Sequence, residues 1–494
     1  MKKSFAMPLI VYLILSTLLA ACAKDDPGNA DSGDKSATDA DITEIAENTA
    51  EKFAPDLPDL DLGGTSFVFC VSSETLWGHE DMVAEEQDGE LVNDAVYLRN
   101  IAVEDMYNVK IGQIGVSFMQ FESYVRKSES AGAPEYDILL PRLYYGVTLA
   151  QEKMFVDLYG IPHLNLGAPW WDQAMPRDLA LMGKLYMAAG DINMYANDAT
   201  NILLFNKTMQ NDLGLEDMYR LVAEGKWTMD KLFEMQRDVA KDMNNDGKIG
   251  YMDRVGLVTH SALYLPFLNA CGVDTFYREG DDIRFNITSE RFMAAYEKIL
   301  QMFNTEGAGM DCSDTRKYKF PSARMVGDTI QDIFEADMAL FACNVADNIT
   351  TFRGMETDFG VLPLPKLDEA QDAYFSSVSS GASVVAVPNS CFDLEVAGVI
   401  LEAMCYESSK TVLPAYYDMT LLRKHTRDEE SAQMLDIIFK NRIYSLGNIY
   451  DWGSMTSAIS QEINKNASNL NSLSEKNEGK VRLAIDKTLA AYGD

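Results

Sequence analysis

Thr65-Ser66-Phe67-Val68-Phe69-Cys70, a helical pattern opening at Asn93 or Asp94, Val109-Lys110-Ile111, a helical stretch from Ser117 to Ser130, and Tyr136-Asp137-Ile138-Leu139-Leu140 follow one another in residues 65–140. The first run is rich in aromatic and β-branched residues and comes directly after Gly63-Gly64, so it reads as a strand. Val96, Ile101 and Met106 fall near helical spacing behind the Asn93/Asp94 cap. Ile138-Leu139-Leu140 is a continuous apolar run of the kind a strand shows when both its faces are covered. Strand, helix, strand, helix, strand in this rhythm predicts an α/β domain with a largely parallel sheet.

Downstream, a second block opens near Leu185-Tyr186-Met187 and Ile202-Leu203-Leu204-Phe205, with helices expected at about 228–242 and 288–304. Phe359-Gly360-Val361-Leu362-Pro363 and Ser383-Val384-Val385-Ala386-Val387 read as strands that return to the first domain, and helices dominate from Leu394 onward. The sequence shows no internal repeat. With 494 residues, the chain has length for about two to four domains.

Upstream, Lys2 and Lys3 precede an apolar run from Pro8 to Leu19, too short for a comfortable membrane span and of the length of a signal-peptide core. It ends in Leu19-Ala20-Ala21-Cys22, a bacterial lipobox pattern in which residues 1–21 are removed and the Cys22 thiol carries lipid. Residues 22–63 are rich in Asp, Ala, Ser and Gly and read as an acidic flexible linker between that anchor and the folded body. The expected location is therefore extracytoplasmic, tethered to the cell membrane by lipid. The balance of 76 acidic against 42 basic side chains gives a net charge of −34, which argues against nucleic acid and anionic lipid surfaces as partners. Cys70, Cys271, Cys312, Cys343, Cys391 and Cys405 are scattered without a CxxC pair, so they carry no zinc or redox pattern and leave disulfides and buried thiols both open.

Two constellations carry chemistry. Asp242-Met243-Asn244-Asn245-Asp246-Gly247-Lys248-Ile249-Gly250-Tyr251-Met252-Asp253 places side-chain oxygens at loop positions 1, 3, 5 and 12 and glycine at 6. That is the spacing of an EF-type calcium loop, with Asp242, Asn244, Asp246 and Asp253 as side-chain ligands and Lys248 giving its carbonyl. Asp253 stands where a sensor carries Glu, and a strand-like Arg254-Val255-Gly256-Leu257-Val258 replaces the second helix, so the expected Ca2+ is structural. The second constellation is aromatic. Trp77 lies just beyond the first strand's C-terminal end, where α/β sheets place ligands. Trp170-Trp171-Asp172-Gln173 and Tyr450-Asp451-Trp452-Gly453 pair rings with amides and carboxylates, the combination that stacks on sugar C–H faces and binds hydroxyls. Trp227, before a helix cap, reads as packing. His79, His163, His260 and His425 stand alone, and the chain lacks HExxH, G-x-S-x-G and P-loop patterns.

Leu204-Phe205-Asn206-Lys207-Thr208-Met209, Gly225-Lys226-Trp227-Thr228-Met229-Asp230-Lys231-Leu232, the calcium-like loop running into Asp253-Arg254-Val255-Gly256-Leu257, Phe334-Glu335-Ala336-Asp337-Met338-Ala339-Leu340-Phe341 and the stretch from Pro363 to Tyr374 come in that order. Together with the lipobox they resemble extracellular solute-binding proteins, the sugar-binding lipoproteins of ATP-driven importers, of the maltodextrin-binding type. The resemblance spans about residues 64–453. It implies a type II periplasmic-binding fold: two α/β lobes, a hinge, and a mono- or oligosaccharide held in the interlobe cleft for ABC transporter permease subunits. It further implies a monomer without enzymatic activity. By this analogy the crossings fall near Ala188–Ile192, Ala342–Asp347 and Asn389–Leu394. Lobe one is then 64–190 plus 345–390, and lobe two 191–344 plus 391–494. The site residues so placed are Trp77 from lobe one, Trp171 near a crossing, Tyr264 and Asn344 from lobe two, and Asp451 with Trp452. Leu421 to Trp452 does not align with shorter members. Two other readings stay open: a surface enzyme acting on glycans, which needs two carboxyls roughly 5–9.5 Å apart, and a receptor for a peptide or other solute.

Overall fold

The computed structural model describes residues 54–73, 82–132, 134–251, 253–320, 325–422 and 429–493. The signal peptide, Cys22, most of the linker and Trp77 lie outside the described residues. Among those described, no helix is long and apolar enough to cross a membrane.

The opening stretch forms β1 (Thr65–Ser73), α1 (Leu91–Tyr107), β2 (Val109–Ser117), α2 (Phe121–Ala131) and β3 (Ile138–Leu140). β1 lies between β2 and β3, parallel to both, with Thr65 opposite Val109 and Phe69 opposite Ile138. Val92, Val96, Val103 and Tyr107 form the buried face of α1, whereas Ile101 and Met106 are exposed. Five residues turn a helix by about 140° beyond a full circle, so Ile101 and Met106 leave the stripe that Val96 starts. The end of the expected flexible linker also differs. Leu57, Leu60 and Leu62 pack against the core, Leu62 N–H donates to the Tyr107 carbonyl at 2.8 Å, and Asp61 accepts from Asn108 at 2.7 Å. Three leucines within six positions supply enough apolar surface to hold residues 57–62 down.

Beyond β3 the first sheet gains two strand-like segments. Residues 383–388 run antiparallel to β3, with Leu139 opposite Ala386, and residues 184–190 run antiparallel to them, with Ala188 opposite Val385. The second sheet contains β4 (Asn201–Asn206), β5 (Val255–Thr259), β8 (Gly309–Asp311), β9 (Ala339–Val345) and β10 (Phe359–Leu362), the hairpin β6 (Phe276–Glu279) and β7 (Asp282–Phe285) lying outside it. Its order is β8-β5-β9-β4-β10, with β8, β5 and β9 parallel and β4 antiparallel to both neighbours. Both sheets thus share one plan: three parallel strands, an antiparallel fourth, and a fifth antiparallel to that fourth. β4 and β5 are buried along their whole length, as strands covered on both faces must be. The two-lobe α/β architecture is present.

Two segments cross between the sheets, and a third strand lies beside them. Residues 191–200 lead from the first to the second, and Thr200 bridges Val378 in the returning segment. The returning strand β11 (Ser376–Ser377) pairs in turn with β12 (Arg442–Ile443). Two expected crossings are corrected. Ala342–Asp347 joins β9 to β10 within the second sheet, so residues 345–362 lie with the second lobe, held by the β4–β10 pairing. Asn389–Leu394 runs into helix α4 (Leu394–Lys410), which packs on α1 of the first lobe. Gly398 makes that seat possible, since a Cβ there would stand 1.8 Å from the Pro162 carbonyl. The fully buried Glu402 fixes it, accepting from Trp170 Nε1 (3.0 Å), Trp171 Nε1 (2.8 Å) and Asn165 N–H (3.1 Å). The helix 429–440 covers β10 of the second sheet.

Candidate functional site

In open α/β sheets the ligand side is the C-terminal edge of the parallel strands. At that edge β3 passes through Pro141-Arg142 into helix α3 (Leu143–Gln151), whose first turn is tied to the returning segment. Leu143 N–H donates to Ala382 O at 2.9 Å and Tyr144 N–H to Ser380 O at 3.1 Å. Facing α3 stands the C-terminal block, composed of α5 (Leu446–Tyr450), the turn 450–454, α6 (Met455–Asn464) and α7 (Leu470–Gly493). The block is attached to the second lobe: Gly447 N–H donates to Asp274, and Asn448 Nδ2 to Asn269 Oδ1 at 3.1 Å. It also touches α3 of the first lobe.

A cavity of about 360 Å³ lies between these walls. Tyr144, Val147, Thr148 and Gln151 line it from α3, Ser380 from the returning segment, and Asn448, Ile449, Tyr450, Asp451 and Thr456 from the C-terminal block. The turn that presents Asp451 is unusual. Asp451 (φ 41°), Gly453 (φ 73°) and Ser454 (φ 59°) all take the left-handed region, a conformation that costs energy outside glycine. Asp451 Oδ1 holds the turn by accepting from Thr456 N–H at 2.8 Å. Burial pushes the Asp451 carboxyl above its usual range, opposed by the Thr456 donors and by Lys480. The Tyr450 ring stacks on Trp452 with centroids 4.5 Å apart and planes 15° apart. Asn448 Oδ1 is a buried acceptor with no partner among the described residues. No lysine or arginine lines the cavity.

Of the residues picked out from the sequence, Asp451 lines this cavity. Trp452 lies beneath it as packing: it is buried, its Nε1 donates to Thr488 Oγ1 at 2.8 Å, and Phe276 meets its ring edge-on. The Trp171 ring is buried on Glu402 and borders a separate 60 Å³ cavity beside the crossings. Tyr264 is buried, its hydroxyl donating to Asp311 Oδ2 at 2.7 Å and touching the Asn464 amide at 2.9 Å. Asn344 sits near the end of β9 and accepts from the N–H of Val345 at 3.0 Å. The structure therefore does not gather these side chains into one site. Tyr450, part of the aromatic motif around Asp451, also lines the cavity, whereas Tyr144, Thr148, Gln151, Ser380, Asn448 and Thr456 were missed. Tyr144 had a usable signal, since Tyr144-Tyr145 follows the third strand as Trp77 follows the first.

The small cavity beside the crossings holds a polar cluster. Arg442 pairs with Asp172 Oδ2 at 3.2 Å and donates to Asn197, and the Tyr444 hydroxyl donates to Asp172 at 2.9 Å. Burial pushes the nearby Asp191 carboxyl up to about 7, with Arg442 acting in the opposite direction.

The calcium-like loop closes through its own side chains. Asp242 accepts from the N–H groups of Asn245 (2.6 Å) and Gly247 (2.8 Å), Asn244 from Asp246 (2.8 Å), and Asp246 from Lys248 (2.9 Å). Gly247 takes φ 81° at the bend, as position 6 requires. Buried Asp253 accepts from Met243 and Gly250, both at 2.8 Å. Among the described residues, no group of three or more His, Cys, Asp or Glu side chains converges on a point that holds a metal ion.

No family model matches the chain, and no curated protein matches it. Solved structures do. The maltose-binding periplasmic protein of Listeria monocytogenes, in complex with maltose, superposes with a TM-score of 0.54 at 16% identity, over 87% of this chain and 97% of that one. A cyclo/maltodextrin-binding protein complexed with maltotetraose gives 0.54 at 14%, over 86% and 96%. The cyclic α-maltosyl-1,6-maltose binding protein of Arthrobacter globiformis gives 0.54 at 14%, over 87% and 98%. The fold is that of the maltodextrin-binding proteins. In the binding-protein fold of this chain, α3 and the C-terminal block form the two walls of the cavity between the lobes.

Proposed function

We propose that this chain is an extracytoplasmic receptor that captures a mono- or oligosaccharide between its lobes and delivers it to the permease of an ATP-driven importer. The observation that carries the reading is the wall of the 360 Å³ cavity. Tyrosine rings stand beside hydroxyl, amide and carboxylate groups drawn from both sides, in a fold whose solved examples hold maltose and maltotetraose. Ring faces pack on sugar C–H faces, and the polar groups between them suit hydroxyls. Asp451 is the one carboxylate among the lining residues, whereas glycoside hydrolysis needs a pair. That favours binding over catalysis. Closure on the ligand is a population shift between open and closed lobes, driven by the extra contacts of the closed state.

Lipid on Cys22 anchors the receptor to the membrane in this reading. A structural Ca2+ is held by Asp242, Asn244, Asp246, Asp253 and the Lys248 carbonyl, a set whose backbone turns are formed but whose carboxylates have to draw together. Thermal melts of the purified chain against a panel of mono- and oligosaccharides test the function. A ligand at 100-fold excess over its Kd adds about 2.7 kcal/mol of stability. A sugar-specific shift without product formation is expected; no shift with any sugar, or sugar breakdown, refutes the reading.

A further inference from the structure

The cavity between α3 and the C-terminal block has a one-sided charge. Its lining holds one carboxylate, Asp451, and no basic side chain. Asn448 turns its amide N–H toward Asn269 and leaves Oδ1 as a buried acceptor without a partner among the described residues. Asp451 Oδ1 accepts one N–H, from Thr456. This end of the cavity is thus rich in acceptors and asks for donors on the ligand. Lys480, which acts on the Asp451 carboxyl from outside the cavity lining, is exposed and donates to the Gly453 carbonyl at 3.0 Å. The chain's net charge of −34 acts in the same sense at longer range.

We infer that Asp451 selects the charge class of the ligand: neutral or amine-bearing sugars are held, and sugars carrying carboxylate, sulfate or phosphate are rejected. The inference rests on the carbohydrate reading above. A hydroxyl or ammonium group donates to Asp451, the acceptor this wall presents. The carboxylate of a uronate offers acceptors only, and it places a second negative charge beside Asp451 in a cavity whose lining holds no basic side chain. Burial, which raises the Asp451 carboxyl, also predicts that preference for an amine fades in acid.

The test uses the full chain with glucose, glucosamine and glucuronate, the corresponding galactose series, and the α-1,4 and β-1,4 dimers of each, titrated by calorimetry at pH 7 in low and physiological salt. The neutral or amine form of the accepted ring is expected to bind at least tenfold tighter than its uronate. Asp451→Asn keeps the turn, since asparagine tolerates φ near 41°. It is expected to narrow the uronate gap severalfold and to weaken the amine form relative to the neutral one. A uronate that binds as tightly as its neutral partner overturns the inference and leaves the receptor reading standing. So does an unchanged ratio in Asp451→Asn. Failure of every ring in every charge state overturns the carbohydrate reading and this inference with it.

Discussion

Removing the Glu402 carboxylate is the sharpest test of how α4 is seated on the first lobe. In Glu402→Ala, the indole N–H groups of Trp170 and Trp171 lose their acceptor, and so does Asn165 N–H. Both tryptophans are under 5% exposed, so water cannot replace the lost partner without a rearrangement. A stranded buried donor costs about 1–3 kcal/mol, so the two indoles together set a loss of roughly 2–6 kcal/mol. Asn165 lies in a part-buried stretch and adds less. A folded body of about 440 residues unfolds with about 0.9 kcal/mol/K of entropy, so Tm should fall by roughly 2–6 °C. Glu402→Gln retains one acceptor oxygen and should lose about half as much. Denaturant titration followed by tryptophan emission and by circular dichroism measures both variants. Because Trp171 bridges Gly190 at the start of the first crossing, the variant should also respond more weakly to ligand. A Glu402→Ala protein within about 0.5 kcal/mol of the parent refutes the reasoning, and so does a Gln variant that falls as far as Ala.

Three further outcomes are expected. Gly190→Ala places a Cβ 2.8 Å from both the Trp170 carbonyl and the Trp171 ring, so overpacking should cost about 1–3 kcal/mol, read as a lower denaturation midpoint. The raised Asp191 carboxyl keeps its proton in the fold up to about 7, while the unfolded chain loses it near the ordinary aspartate value of 3.8. Its contribution to stability is therefore full below that lower value and is lost as pH rises to about 7; Asp191→Asn should flatten this part of the stability–pH curve, measured by melts from pH 3 to 8. Added Ca2+ should raise Tm in the parent and not in Asp246→Ala, with terbium luminescence marking the loop; equal melts in calcium and chelator show that its hydrogen-bonded turns suffice.

The first sheet was legible because periodicity and breakers agreed in it. The continuous apolar run Ile138–Leu140 and the β-rich run after Gly63-Gly64 fall where β3 and β1 stand. The lobe boundaries were legible only in part. Phe359–Leu362 and Ser383–Val387 are equally apolar, yet one pairs with β4 and the other with β3. Local pattern marks a strand and is silent about its partner. The tryptophans misled for a physical reason. An indole offers stacking area to a sugar and burial area to a core alike, and in Trp171 and Trp452 the core wins, with Nε1 satisfied by Glu402 and Thr488. That Asp451 lines the cavity was legible because its neighbours Tyr450 and Gly453 placed a polar turn among rings. Asn448 and Ser380 carry no such mark, since ordinary residues become a binding wall only when distant segments meet.

The sheet order has a consequence for how the chain can be made. Residues 184–190 have no strand to pair with in the first sheet until residues 383–388 arrive. More than three-quarters of the polypeptide must leave the ribosome before that sheet can close. Until then the wholly buried run Ile138-Leu139-Leu140 presents an open, apolar edge. The chain cannot finish its first half first, and until residues 383–388 arrive that edge is free to pair with another chain.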